Sequence, residues 1–165
     1  MNALTLRRFT SSDVETYLAV RHEGLRADAH AFRIAIADDE AQGLAAWRER
    51  LDRDYVVGVE SNGRILGIGG FARIAGVKTQ HKGLIWGMYV RAEARGMGAS
   101  DAIIEALLNH AQGHVRQVQL TVVAANARAV AFYERHGFAR YGIEPAAIRM
   151  EDGSFADEAL MWRLV

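Results

Sequence analysis

The chain has no cysteine and only one proline among its 165 residues. Without cysteine there can be no disulfide framework, no thiolate zinc site, no redox pair and no cysteine nucleophile. We find no proline- or serine-rich linker and no internal repeat. The composition, 50% hydrophobic and 24% charged, is that of a globular protein. Length and composition together predict a single domain over residues 1–165.

The sequence also lacks an excess of charge and a long apolar run. Lys+Arg and Asp+Glu number 20 each, so the whole chain has no electrostatic footprint for nucleic acid or an anionic membrane. No apolar run of the signal-peptide kind opens the chain, and no segment reaches the ~20 apolar residues that span a bilayer. We therefore expect a cytoplasmic protein that binds neither nucleic acid nor membrane. The sequence leaves open whether it is a homodimer.

Apolar periodicity divides the chain into short elements. Strands are predicted over residues 1–9, 55–60, 64–72, 83–90, 117–123, 138–142 and 159–164. Helices are predicted after Ser11-Ser12-Asp13 and over residues 41–53, 100–112 and 126–136. Asn62-Gly63 predicts a tight hairpin, and Asn126 and Gly137 are expected to cap the last helix at its two ends. This order predicts an α/β (α+β) fold with a mixed sheet and helices on both faces.

Three glycines, Gly67, Gly69 and Gly70, lie inside one predicted strand. They are compatible with a bulge or a close ligand approach. Packing against a large neighbouring side chain is the favoured interpretation.

A glycine-containing turn, Arg95-Gly96-Met97-Gly98-Ala99-Ser100, follows a strand that ends near Val90 and precedes a helix. Glycines allow close approach of an anion, and the helix start adds free N–H groups and partial positive charge. Arg95 can add a fork of donors, so the pattern indicates phosphate or pyrophosphate binding. A dinucleotide fingerprint would need glycine where Asp101 stands, and a P-loop would need Lys before Ser or Thr. Taken alone, the turn is equally compatible with an ordinary tight turn.

The stretch from Val90 to Ser100 resembles the acetyl-CoA-binding motif of the GNAT superfamily of N-acetyltransferases, Arg/Gln-x-x-Gly-x-Gly/Ala. Arg95 and Gly98 match this motif, and Ser100 stands where the family has Gly or Ala. Residues 120–138 are similar to the family's later strand and helix, in which Asn-x-x-Ala/Ser-x-x-x-Tyr-x-x-x-Gly-Phe is typical. The residues in register are Asn126, Tyr133, Gly137 and Phe138. The first half of the chain matches only in the order of its elements.

This resemblance implies a mostly antiparallel central sheet in which two neighbouring strands splay apart around acetyl-CoA, the acetyl donor. The backbone of Met88, Tyr89 and Val90 would hold the pantetheine arm, and an N–H there would polarise the thioester carbonyl. The residues expected around the pyrophosphate are Arg95, Gly96, Met97, Gly98, Ala99, Ser100 and Asp101, the last with its carboxylate turned outward. Asn126 and Tyr133 would also contact CoA.

Tyr133 is the expected catalytic residue, because a phenol of pKa ~10 can protonate the departing thiolate. We expect the adjacent Phe132 to lie on a different helix face. The general base is open, since Thr121 stands where some relatives have glutamate. Glu23, Glu144 and Glu158 are candidates, as are a water chain and a substrate amine that is already neutral.

Trp86 alternates with Met88 along its strand and is expected either to line the acceptor pocket or to lie in the core. By family position Arg21, Tyr141 and Met150 are further pocket candidates. We expect packing or surface roles for His22, His30 and His81. No pair of them has metal-ligand spacing, so we predict no metal.

The sequence therefore predicts an N-acetyltransferase that transfers acetyl from acetyl-CoA to a primary amine of a small molecule, peptide or protein. Direct attack in a ternary complex is the simplest mechanism. Two alternatives stay open. One is a catalytically weak acyl-CoA-binding or regulatory module on the same fold, and the other is a nucleotide-binding domain that uses the same phosphate chemistry.

Overall fold

The computed structural model describes residues 3–165, so the predicted start of the first strand at Met1 and Asn2 lies outside the described residues. The strands are β1 (Thr5–Phe9), β2 (Tyr55–Ser61), β3 (Arg64–Arg73), β4 (Lys82–Val90), β5 (Gln117–Val123), β6 (Ala139–Arg149) and β7 (Phe155–Leu164). The α-helices are α1 (Val14–Ala27), α2 (Ile36–Ala41), α3 (Gly43–Arg53), α4 (Ala99–Gln112) and α5 (Ala127–Arg135). Within the described range, no helix has the length and apolar character needed to cross a membrane.

The strands form one seven-stranded sheet in the order β1-β2-β3-β4-β5-β7-β6. All neighbours are antiparallel except β4 and β5, which run parallel. Helices α1 and α3 pack on one side of the sheet, which we call the α1 face, and α4 and α5 pack on the other, the α4 face. The predicted mixed, mostly antiparallel sheet with helices on both faces is confirmed.

Each face has its own apolar core. On the α1 face Tyr17 and Trp47 pack against Ile68. On the α4 face Ile103 and Leu107 pack against the inner strands. All five side chains are at most 1% exposed. Full burial of a side chain of this size contributes about 1.5–3 kcal/mol, so the two cores hold both helix layers on the sheet.

The predicted turn and cap residues adopt the expected conformations. Asn62 and Gly63 have φ of 52° and 74°, as a tight hairpin between β2 and β3 requires. The side chain of Asn126 accepts a hydrogen bond from the Ala129 N–H at 3.2 Å, and Gly137 has φ of 83°. Both ends of α5 are therefore capped as predicted.

Some boundaries differ from the prediction. The six-residue α2 was not predicted, because it is too short to show a periodic apolar face. Strands β6 and β7 extend beyond the predicted residues 138–142 and 159–164. Most of β6 is exposed and contains Pro145, which an edge strand tolerates because one row of its backbone groups faces solvent. Its length is set by pairing with β7, which local sequence does not reveal.

The glycines of β3 allow large side chains to lie directly on the strand. A Cβ on Gly70 would come within 2.5 Å of Cε2 of Trp86, and one on Gly69 within 2.6 Å of Cγ2 of Ile103. The packing interpretation of these glycines is confirmed.

Candidate active site

The sheet opens at the seam between β4 and β5. The two strands pair only at three positions, Lys82 with Gln117, Gly83 with Val118, and Leu84 with Gln119. Beyond these pairs β4 and β5 diverge, so the remaining backbone groups of each strand have no partner across the seam. The expected splayed strand pair is therefore present, between the strands that lead to the glycine turn and to α5.

A β-bulge in β4 lies beside this opening. The pairing of β3 with β4 shifts between Ile68–Tyr89 and Gly70–Trp86, which leaves one extra residue in β4. Gly87, with φ of 64°, takes up that extra residue. The bulge reverses the side-chain alternation, so Trp86 packs with the α1-face core and Met88 with the α4-face core. The prediction that Trp86 and Met88 alternate along one face was wrong, because a regular strand period does not survive a bulge.

A cavity of about 590 Å³ occupies the opening and reaches both faces of the sheet. Its walls on the α1 face include Arg21, Arg50 and the segment from His30 to Ile34. Its walls on the α4 face include Asn126, Ala129 and Tyr133 from the start and middle of α5. The floor between them is formed by β4 residues 84–90 and β5 residues 120–122. Groups bound from opposite faces of the sheet could therefore meet within one cavity.

The glycine turn presents a set of unused backbone donors next to this cavity. Gly96 and Gly98 have φ of 77° and 85°, and Gly98 is the N-cap of α4. Among residues 3–165, no acceptor is found for the backbone N–H groups of Gly96, Gly98, Ala99, Ser100 and Asp101. A concave row of N–H groups at a helix start binds anions, and phosphate oxygens match it well.

Two charged residues of this turn are engaged within the protein. Arg95 donates to the Val90 carbonyl at 3.1 Å and to the Asp28 carboxylate at 2.5 Å, which ties the turn to the end of α1. Asp101 accepts from Arg135 at 2.6 Å, so its carboxylate points toward α5. The backbone of the turn, rather than its charged side chains, is thus free to receive an anion.

Tyr133 reaches the cavity from α5. Its ring packs edge-on against Phe138, with centroids 5.8 Å apart, and its hydroxyl makes no hydrogen bond to residues 3–165. Burial raises the pKa of Tyr133, which keeps the phenol protonated at neutral pH. Phe132, which was expected on a different helix face, also lines the cavity, and its ring centroid is 5.2 Å from that of Tyr133.

A buried carboxylate, Glu158, lies on the α1-face side of the cavity. It is 3% exposed, accepts from Arg33 Nε at 3.0 Å, and lies 3.4 Å from the Thr121 hydroxyl. Arg33 also donates to Glu144, which stands opposite Glu158 on β6. The resemblance to the family made position 121 a possible place for a glutamate base, and the chain has threonine there. The carboxylate beside Thr121 is that of Glu158, from the neighbouring strand β7.

The other two candidate bases are placed differently. Glu23 accepts two hydrogen bonds from Arg91, which lower the pKa of its carboxyl, and it lies outside the cavity wall. Glu144 is exposed and also lies outside that wall. Glu158 is the one carboxylate of the three that lines the cavity.

The other predicted pocket residues also fall into two groups, those that line the cavity and those that lie outside it. Trp86 and Arg21 line the cavity, whereas Tyr141 and Met150 lie outside it on β6 and in the turn that follows. Arg21 is buried and donates from Nε and Nη2 to both carboxylate oxygens of Asp39. His22 also contacts Asp39, at 3.1 Å.

The other two histidine candidates, His30 and His81, lie away from the centre of the cavity. His30 is exposed at its edge, and His81 is exposed outside it. In the part of the chain that the structure describes, no group of three His, Cys, Asp or Glu side chains is arranged to hold a metal ion.

Of the twelve residues predicted to bind the donor, seven line the cavity: Met88, Tyr89, Val90, Arg95, Ser100, Asn126 and Tyr133. The other five, Gly96, Met97, Gly98, Ala99 and Asp101, form the adjoining turn rather than the cavity wall.

Among the wall residues that sequence reasoning missed are Phe32, Arg33, Arg50 and Arg128. Phe32 and Arg33 lie in an irregular segment, and Arg50 is one of several arginines of α3 with no local sign of a site. Of these four, only Arg128 had a local indication, since it lies in the first turn of the helix that Asn126 caps.

The comparisons with known proteins agree with this architecture. The sequence profile described as Acetyltransferase (GNAT) family matches residues 16–138. No curated protein sequence gives a significant match. Among solved structures, a GNAT-family acetyltransferase from Streptococcus pneumoniae superposes with a TM-score of 0.84 at 23% identity, covering 99% of this chain and 100% of that one.

Two further structures are similar over almost their whole length. The ribosomal-protein-alanine N-acetyltransferase from Brucella melitensis has 20% identity and a TM-score of 0.79, with 98% of this chain and 99% of that chain covered. The putative acetyltransferase yncA from Salmonella typhimurium, solved with its cofactor acetyl-CoA, has 19% identity and a TM-score of 0.79, with 99% and 94% covered. Splayed strands, glycine turn and profile match lead to one conclusion: the chain belongs to the acetyltransferase (GNAT) family.

Proposed function

We propose that the protein is an acetyl-CoA-dependent N-acetyltransferase that acetylates a primary amine by direct attack in a ternary complex. The observation that carries the proposal is the cavity at the β4–β5 seam, which reaches both faces of the sheet and adjoins the glycine turn. A donor can enter from the α4 face and an acceptor from the α1 face, so their reacting atoms meet inside the sheet.

The donor is proposed to lie along the unpaired edge of β4. Its pantetheine amides would pair with the backbone of Met88, Tyr89 and Val90, as a further strand would. Its pyrophosphate would accept from the five free N–H groups of the turn from Gly96 to Asp101. Asn126 and Arg128, at the start of α5, would contact the donor from the opposite wall.

Tyr133 is proposed as the general acid. The amine nitrogen forms a bond to the thioester carbonyl carbon, the carbon–sulfur bond breaks, and the leaving thiolate takes the Tyr133 proton. The phenolate then regains a proton from solvent. The free hydroxyl of Tyr133 favours this role, because it lines the cavity and has no competing acceptor in residues 3–165.

Glu158 is proposed as the group that takes the proton from the attacking amine. It lies on the α1-face side, opposite Tyr133, and it is held by Arg33 and Thr121. A carboxylate fixed on the acceptor side can bind the ammonium and take one proton from it, which frees the nitrogen lone pair for attack on the carbonyl carbon. The second proton of the nitrogen passes to solvent as the tetrahedral intermediate collapses to the amide. This removes the need for a glutamate at position 121.

Two measurements test the function. Thermal unfolding with acetyl-CoA, ATP and NAD tests the donor site; acetyl-CoA at 100 times its Kd should raise the midpoint by about 5–10 °C. Stabilisation by ATP alone would support a nucleotide-binding domain instead.

Release of CoA thiol across a panel of primary amines tests turnover. Acetyl-CoA binding without turnover of any amine would favour a weak acyl-CoA-binding module.

A further inference from the structure

Arg50 lies in the cavity wall on the α1 face with most of its donors unused. Its guanidinium stacks on Trp86, with Cζ 3.8 Å from the centroid of the Trp86 ring and 5.0 Å from that of Trp47. The side chain is only 28% exposed. Its Nε donates to Asp54 at 3.4 Å, and within residues 3–165 Nη1 and Nη2 have no hydrogen-bond acceptor.

The carboxylate nearest to Arg50 is engaged by a second arginine. Asp54 accepts from Arg53 Nε at 2.9 Å, a shorter contact than the one with Arg50. Arg50 is also in the field of Arg21, and burial together with Arg21 lowers the pKa of Arg50. An anion beside Arg50 would relieve this unfavourable burial of positive charge.

The other arginines that line this cavity in the described structure do not present free guanidinium donors on the α1 face. Three of them are held by carboxylates: Arg21 by Asp39, Arg33 by Glu158 and Arg95 by Asp28. The fourth, Arg128, belongs to α5 and lies with the proposed donor contacts. Among the described residues of the cavity wall, Arg50 is thus the arginine on the α1 face with guanidinium nitrogens left for an acceptor.

Trp86 adds a second unused donor to the same wall. Its indole nitrogen Nε1 is buried and has no hydrogen-bond partner among the described residues. Buried polar groups are normally satisfied, and exceptions of this kind are enriched at binding sites. The wall therefore combines Nη1 and Nη2 of Arg50 with the indole N–H of Trp86, which are donors without an acceptor in residues 3–165.

We propose that the acceptor amine carries a carboxylate, and that Arg50 binds it. The planar guanidinium fork matches a carboxylate and stacks on an aromatic ring at the same time, which a lysine could not do. With Arg50 for the carboxylate and Glu158 for the ammonium, the α1 face of the cavity is complementary to a small zwitterion of the amino-acid type. This inference rests on the proposed acetyl transfer and specifies its substrate class.

The test compares matched probes, L-amino acids and their C-terminal amides, at fixed acetyl-CoA. The acid-to-amide ratio of kcat/KM is measured for wild type and for Arg50→Gln, so that the different amine pKa values of the two probes cancel. We expect Arg50→Gln to lower the ratio by about 10- to 100-fold, the effect of losing a charge-assisted hydrogen bond. The change should appear mainly in KM of the acids.

Two variants separate recognition from folding. Arg53→Gln removes a neighbouring arginine that contacts the same Asp54 but is 70% exposed and lies outside the cavity, so the ratio should stay at the wild-type value. Arg50→Lys keeps the charge without the fork and should lower the ratio less than Arg50→Gln. Thermal unfolding with acetyl-CoA checks that each variant keeps a folded donor site.

A binding measurement makes the outcome independent of turnover. Tryptophan fluorescence of the CoA complex is titrated with the same acids and amides, since Trp47 and Trp86 lie beside Arg50. Stronger binding of the acids that is lost in Arg50→Gln supports the proposal even if no probe is acetylated, an outcome that would count against the proposed function alone. Equal binding of acids and amides, no binding of either, or equal losses for both in Arg50→Gln, overturns it.

Discussion

Tyr133 and Glu158 approach the seam from opposite faces of the sheet, and we propose opposite proton transfers for them. The Tyr133 hydroxyl has no hydrogen-bond partner in residues 3–165, and burial raises its pKa, so the phenol carries its proton when the thiolate leaves. Glu158 is held in place by Arg33 and Thr121. The two proposed roles can be tested one residue at a time.

Replacing Tyr133 by Phe should lower kcat by about 100-fold, because the thiolate loses its proton donor. The folded protein should not be destabilised, since the hydroxyl has no hydrogen-bond partner in residues 3–165. The raised pKa keeps the wild-type phenol neutral as pH rises. The kcat of the wild type should therefore not decrease at pH values up to about 10. Release of CoA measures kcat, and thermal unfolding measures the stability of the variant. An unchanged kcat would remove Tyr133 from the mechanism.

Replacing Glu158 by Gln should lower kcat by about 100-fold at neutral pH, because the amine loses its proton acceptor. The loss should shrink toward about pH 10, where a free amine is already neutral in solution. A pH profile of kcat for both proteins provides the measurement.

Glu144→Gln is the matched control for this change. Glu144 binds the same Arg33 but lies outside the cavity, so its loss should leave kcat nearly unchanged. Equal losses in the two variants would instead mean that both act by positioning Arg33.

At the scale of elements, the bulge in β4 decides which side chains meet at the seam. Gly87 lets the strand take one extra residue, and this sends Trp86 to the α1 face and Met88 to the α4 face. A Cβ at Gly87 would lie 3.0 Å from Nη1 of Arg21. The bulge thus places the β4 backbone, where the thioester is proposed to lie, next to Arg21 on the α1 face.

Gly87→Ala should cost about 1–2 kcal/mol of unfolding free energy, the strain of a left-handed residue with a Cβ, and should also weaken activity. Gly63→Ala is the matched control, since Gly63 has a similar φ of 74° and a Cβ added there would meet no atom within 4 Å. Chemical denaturation should show similar losses for both variants, and CoA release should fall only for Gly87→Ala. Equal activities would show that the bulge is only structural.

Local patterns were enough to predict the order of the strands and of every α-helix except α2, the hairpin at Asn62-Gly63 and the caps of α5, since each depends on residues close in sequence. The bulge could not be predicted, because Gly87 is one of many glycines and its role depends on pairing with β3. Arg50 and Glu158 come from elements far apart in the chain, and their approach to one cavity depends on the order of strands in the sheet. The proposed donor side rests on two local motifs, whereas the residues of the proposed acceptor side are brought together by long-range contacts.

For the whole molecule, the seam divides the sheet into β1–β4 and β5–β7, joined by three residue pairs between β4 and β5. A ligand between the strands would satisfy backbone groups that now have no partner across the seam. We expect acetyl-CoA to slow amide hydrogen exchange at residues 85–90 and 120–123, where local opening is easiest. Amides of β1 and β2 serve as the internal reference and should change little. Uniform protection, or none at the seam, would place the donor elsewhere.

A cavity that reaches both faces of the sheet also has a consequence for steady-state kinetics. Because each substrate would have its own face of approach, neither needs to leave before the other binds. CoA should then compete with acetyl-CoA but act as a mixed inhibitor against the amine, and the acetylated product should show the reverse pattern. Double-reciprocal plots at several fixed amine concentrations should intersect rather than run parallel.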